Sequence, residues 1–128
     1  MLAAERLLQI QDAFGEHLVR ITPLDLDGET LRAILYVKGG TSLRVTEQWE
    51  GQVLKRYSTY WLSGQNELKT GWDNSAHHMR LTTFPHHKHV GQQDNLQPSQ
   101  ERCLEDVMAI VLRESRKARS EASCANST

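Results

Sequence analysis

The sequence predicts an α+β domain in which an antiparallel sheet of four to five strands is flanked by an N-terminal and a C-terminal helix. Three observations carry that expectation. Apolar residues recur at helical spacing near the two ends. Strict two-residue alternation, punctuated by glycine-containing turns, fills the middle. A length of 128 residues suits one core rather than two.

The N-terminal helix comes first. Leu7, Ile10 and Phe14 fall at i, i+3 and i+7, with Leu2, Ala3 and Leu8 nearby and Gln9, Gln11 and Asp12 on the other side; Gly15 is the stop. Leu18-Val19-Arg20-Ile21 is a candidate strand, which Pro23 confines to an edge position or to a short length because proline cannot donate to a ladder.

Four alternating runs follow. Leu31, Ala33, Leu35 and Val37 alternate with Arg32, Ile34, Tyr36 and Lys38 up to a Gly39-Gly40 turn. Leu43, Val45, Glu47 and Trp49 make the next strand, closed at Glu50-Gly51. Val53 to Leu62 makes the third, with Ser63-Gly64-Gln65-Asn66 as its turn, and Leu68, Thr70 and Trp72 the last. Tyr57, Tyr60, Trp61 and Trp72 lie at strand spacing, which favours core or cross-strand packing over stacking faces for bases.

From Asp73 to Pro98 the periodicity fails, and a stretch that long reads as a functional loop. Pro98-Ser99 then opens the C-terminal helix, with Ser99 as its cap and Leu104, Val107, Met108, Val111 and Leu112 as its apolar face. The folded domain is expected to span residues 1–113, with 114–128 a disordered tail rich in Ser, Ala, Lys and Arg.

Composition narrows the function classes. No apolar run approaches the roughly 18 residues of a membrane span, and a basic start with a cleavable apolar stretch is absent, so a cytoplasmic protein without membrane contact is expected. Cys103 and Cys124 imply no disulfide framework. The net charge of −1 conceals a basic middle, where Lys55, Arg56, Lys69, Arg80 and Lys88 outnumber Glu67 and Asp73. Such a patch attracts phosphate without requiring it.

Chemistry concentrates in one place: His77, His78, His86, His87 and His89 are five of the chain's six histidines and fall within thirteen residues. Three readings fit. In RNA cleavage without a metal, one neutral imidazole takes the 2′-hydroxyl proton, a protonated one supplies the leaving oxygen, and Lys88 or Arg80 offsets phosphate charge. Asp73 and Asn74 would then orient an imidazole or hold phosphate, and no cofactor is required. In a metal site, a divalent ion such as zinc would be held by His87 and His89 with His77, His78 or Asp73, although the spacing matches no common zinc motif. In the third reading the segment binds a nucleic acid or a protein without turnover. Phe84 and Pro85 are expected to hold the loop in place. His17 stands apart and receives no role.

The residues Tyr60-Trp61, Trp72-Asp73-Asn74-x-x-His77-His78, Leu81-x-Thr83-Phe84-Pro85-His86-His87-Lys88-His89 and Pro98-Ser99 together resemble the TumE family of bacterial toxin-antitoxin proteins. The likeness spans about residues 57–112. It implies a small cytoplasmic toxin neutralised by a cognate antitoxin protein; RNA as substrate and a homodimeric state are further expectations, and the likeness brings no mechanism with it.

Overall fold

The computed structural model describes residues 1–76 and 81–126 of the chain, and side chains up to Ala118. Helix α1 (Ala3–Phe14) is followed by a 3₁₀ turn (Gly15–His17), then strands β1 (Leu18–Asp27), β2 (Thr30–Val37), β3 (Ser42–Glu50), β4 (Val53–Leu62), β5 (Leu68–Asp73), β6 (His87–Val90) and β7 (Leu96–Pro98), and helix α2 (Leu104–Asn126). All seven strands form one antiparallel sheet in chain order. Each strand therefore pairs with its sequence neighbours, as short connections favour.

The predicted class and the four alternating runs match the structure, and β1 is the edge strand that Pro23 requires. Gly39 and Gly40 take φ of 109° and 105° at the β2–β3 turn, a region open to glycine and costly for other residues. The sheet nevertheless has seven strands, not four to five. The additional β6 and β7 lie inside the segment that reads as a loop. In His87-Lys88-His89-Val90 the alternation is present in space, with both histidines buried, but histidine and lysine do not register as an apolar and polar pair.

Alternation sorts the sheet into two faces. Leu31, Ala33, Leu35, Leu43, Val45, Tyr57, Trp61 and Trp72 point to one side and form a single cluster with Ala3 and Ile10 of α1 and Leu104, Val107, Met108 and Val111 of α2. Arg6 is fully buried where the helices meet the sheet: it donates from Nε to Glu47 Oε1 at 2.7 Å and from its two terminal nitrogens to Glu105 at 2.8 Å each. Burial alone would lower the Arg6 pKa, yet the hydrogen bonds and charges of Glu105 and Glu47 outweigh it and raise the value. The apolar stripe expected on α1 is thus crossed by a charge that the sequence disguises as a surface arginine.

One further expectation changes at α2. Ser99 does not cap it: its Oγ accepts from Glu101 N–H and its backbone N–H donates to Thr83 Oγ1, while the helix begins at Leu104. The helical backbone continues to Asn126. No described helix is long and apolar enough to cross a membrane.

Candidate functional site

The site grows from the pairing of β5 with β6. Asp73 lies opposite His87 and Gly71 opposite His89, so the carboxylate and both imidazoles emerge on the sheet face that carries no helix. Their position follows from Trp72, which is buried in the core cluster on the other face; its neighbour Asp73 must point away from the helices. All three side chains are buried: Asp73 is 7% exposed, His87 1% and His89 9%.

His87 Nδ1 lies 3.0 Å from the Pro85 carbonyl oxygen and His89 Nδ1 2.6 Å from that of Gln93. A carbonyl only accepts, so Nδ1 carries the hydrogen in both rings. Each Nε2 is thereby turned toward Asp73, at 2.8 Å from Oδ1 for His87 and 3.5 Å from Oδ2 for His89. The rings meet edge to face, with centroids 5.2 Å apart and an interplanar angle of 83°. Asp73 Oδ1 also accepts from Ser75 N–H and Ser75 Oγ, at 3.0 and 2.8 Å.

His86 sits differently. Its Nδ1 is 2.8 Å from the Tyr57 hydroxyl, whose own hydrogen goes to the Glu101 carbonyl at 3.1 Å; the imidazole is therefore the donor here too. Its ring stacks on Tyr57 at 5.8 Å. No described residue hydrogen-bonds its Nε2. Burial, then the neighbouring Arg102 and His87, lower the His86 pKa from its ordinary value and so disfavour the protonated ring. Burial and the Asp73 charge raise the Tyr57 and Tyr60 phenols, which stay protonated.

The structure does not bring all of the sequence candidates together. Lys88, between the two histidines, projects to the helix side, where it lies 3.6 Å from Glu101 Oε1; Trp72 Nε1 donates to the same oxygen. Asn74 clamps the chain to β4, its Oδ1 accepting from Tyr57 N–H and its Nδ2 donating to the Lys55 carbonyl. Phe84 is 41% exposed. The loop is fastened instead by Thr83, whose Oγ1 bonds the His86 carbonyl and accepts from Ser99 N–H. His77, His78 and Arg80 lie outside the described residues.

Two features were missed by reading the sequence. Next to Asp73 runs a groove of about 360 Å³ whose walls include Arg56, Ser58, Tyr60, Asn74 and Ser75. Arg56, Ser58 and Tyr60 are the residues of β4 alternate to its buried set, so the strand pattern held this signal. Gly71 is the second: a side chain there would enter the Tyr60 ring.

A family model described as Toxin TumE matches residues 5–119. The chain belongs to the TumE toxin family. The match extends the local resemblance of the histidine motif to nearly the whole fold, and a TumE toxin has, in general, an antitoxin partner. No curated protein and no solved structure matches this TumE chain.

Proposed function

We propose that this TumE toxin acts on RNA by breaking phosphodiester bonds, with the strand held in the groove of the open face and cut where Tyr57, which lines that groove, meets His86. The observation that carries the reading is the convergence of Asp73, His87 and His89 beside a groove whose wall includes Arg56. Arg56 supplies charge for a phosphate, while the flanking Tyr60 offers an aromatic surface for a base.

Proton transfer falls to His86. Both nitrogens of His87 and of His89 face fixed oxygen partners, whereas among the described residues His86 is anchored through Nδ1 alone and its protonated form is disfavoured. Its Nε2 takes the proton from a ribose 2′-hydroxyl. The 2′-oxygen then bonds to phosphorus, the bond to the 5′-oxygen breaks, and that oxygen leaves with a proton from a neighbouring acid or from water. The buried histidines organise charge around Asp73 and are positioning groups in this scheme.

The test is incubation of purified protein with total RNA, beside folded His86→Ala and Arg56→Ala variants. Cleavage by the native protein is expected to fall about 10² to 10⁴-fold in His86→Ala, and Arg56→Ala is expected to weaken RNA binding. Intact RNA at equimolar toxin, both with and without added divalent metals, overturns the reading and leaves a stoichiometric binder.

A further inference from the structure

We infer that Asp73, His87 and His89 form a binding site for one divalent first-row transition ion of the zinc type. The ligand atoms of these three residues lie within 4.8 Å of one another. In a tetrahedral site, donors about 2.0–2.2 Å from the ion stand about 3.3–3.6 Å apart. The His89 Nε2 to Asp73 Oδ2 separation of 3.5 Å has that spacing already. His87 Nε2 stands 2.8 Å from the other oxygen of the same carboxylate, Oδ1.

The donor orientation matters more than the count. In each ring the nitrogen away from Asp73 donates to a main-chain carbonyl, of Pro85 and of Gln93, and this is the outer-shell arrangement that fixes a ligating imidazole and presents its Nε2 lone pair. Asp73 is prepared in the same way. Ser75 holds Oδ1 with two hydrogen bonds, which leaves Oδ2 directed at His89 and suited to coordinate. The pleat of β6 puts both histidines on one side, and the paired strand supplies the carboxylate from directly across. Two imidazoles and one carboxylate select zinc or its first-row neighbours over magnesium or calcium, which prefer oxygen. Among the described residues three protein ligands converge, one fewer than a tetrahedral ion takes.

Metal binding deepens the RNA-cleavage reading and rests on it only for the use made of the ion, which would be to polarise a phosphate in the groove beside Asp73. The binding test therefore contains no RNA. Cobalt(II) is titrated into metal-stripped full-length protein, with the visible absorption of tetrahedral cobalt and the bound stoichiometry as readouts, and the melting temperature followed in parallel. One ion per chain is expected, with affinity lowered at least about 100-fold in Asp73→Asn and in His89→Ala, each confirmed folded by circular dichroism. His17→Ala and His86→Ala are expected to bind as the native protein does. Absence of binding overturns the inference, as does binding that survives both ligand substitutions. Should Asp73→Asn fail to fold, His89→Ala alone decides. Cobalt binding with RNA left intact would retain the metal site and remove the RNA reading; metal-free cleavage with no cobalt bound would do the reverse.

Discussion

Gly71 lies beneath the ring of Tyr60, its partner across β4 and β5: a Cβ on Gly71 would stand 2.5 Å from Tyr60 Cδ1 and 2.7 Å from Cε1. The ring occupies the space of the missing side chain, opposite His89 on the other neighbouring strand. Gly71→Ala must displace the ring, at a cost of about 1–3 kcal/mol for overpacking. Urea denaturation is expected to show a lower midpoint in Gly71→Ala and a recovery of most of the loss in Gly71→Ala/Tyr60→Ala relative to Tyr60→Ala. An unchanged midpoint in the single variant would show that Tyr60 moves freely.

Arg6 joins α1, β3 and α2 through bonds to Glu47 and Glu105, and both Arg6 and Glu47 are 1% exposed. Removing the arginine leaves a buried carboxylate with its Trp49 Nε1 bond and no cation. Arg6→Ala is expected to cost about 3–5 kcal/mol, whereas Arg6→Met/Glu47→Leu, which removes both charges, is expected to cost much less. Guanidinium denaturation compares them. Equal losses in the two variants would mean that packing, not the uncompensated charge, sets the cost.

Acid stability should depend on Glu105. The hydrogen bond from Arg6 lowers its pKa, overcoming the opposing effect of burial. A carboxyl depressed in the folded state contributes stability above its unfolded value of about 4.3, and that contribution is lost as pH falls through the folded value. The side chain is 47% exposed, so screening makes the contribution small and salt-sensitive. Glu29, lowered first by its bond from the N-terminal amine, acts in the same window. Melting temperatures between pH 6 and pH 3 should therefore fall less steeply in Glu105→Gln than in the native protein. Parallel curves would remove Glu105 from the acid response.

The strand alternation from Leu31 to Trp72 was legible because each buried residue there, Ser42, Glu47 and Thr59 excepted, is apolar, aromatic or glycine. Beyond Trp72 the code changes. β6 buries two histidines rather than two valines, and they are held by a carboxylate and by carbonyls that no periodicity records. The same blindness applied to Arg6, whose burial depends on Glu47 and Glu105, partners 41 and 99 positions away. The histidine cluster did mark the site. Which of its members share a face became visible only with the β5–β6 register, which separates Lys88 from His87 and His89.

The most direct test of the His86 assignment is its titration. Burial, Arg102 and then His87 all disfavour its protonated form, so its folded value lies below the ordinary 6.5 or so. Between those two values the unfolded chain takes the proton first. Stability is therefore full above about pH 6.5 and declines as pH falls toward the folded value, below which this contribution is constant. A proton-NMR titration of the His86 ring should report a midpoint below the ordinary value of about 6.5, and Arg102→Gln should move it upward by removing a nearby cation. If His86 is the base, the acidic limb of the cleavage rate moves with it, while the rate at pH 7.5 stays within about twofold because the ring is neutral there in both proteins. Tyr57→Phe removes the acceptor that fixes Nδ1–H and should lower the rate at every pH without converting the limb into a new one. A midpoint at or above about 6.5, or a rate limb that ignores Arg102→Gln, would take His86 out of the proton-transfer role.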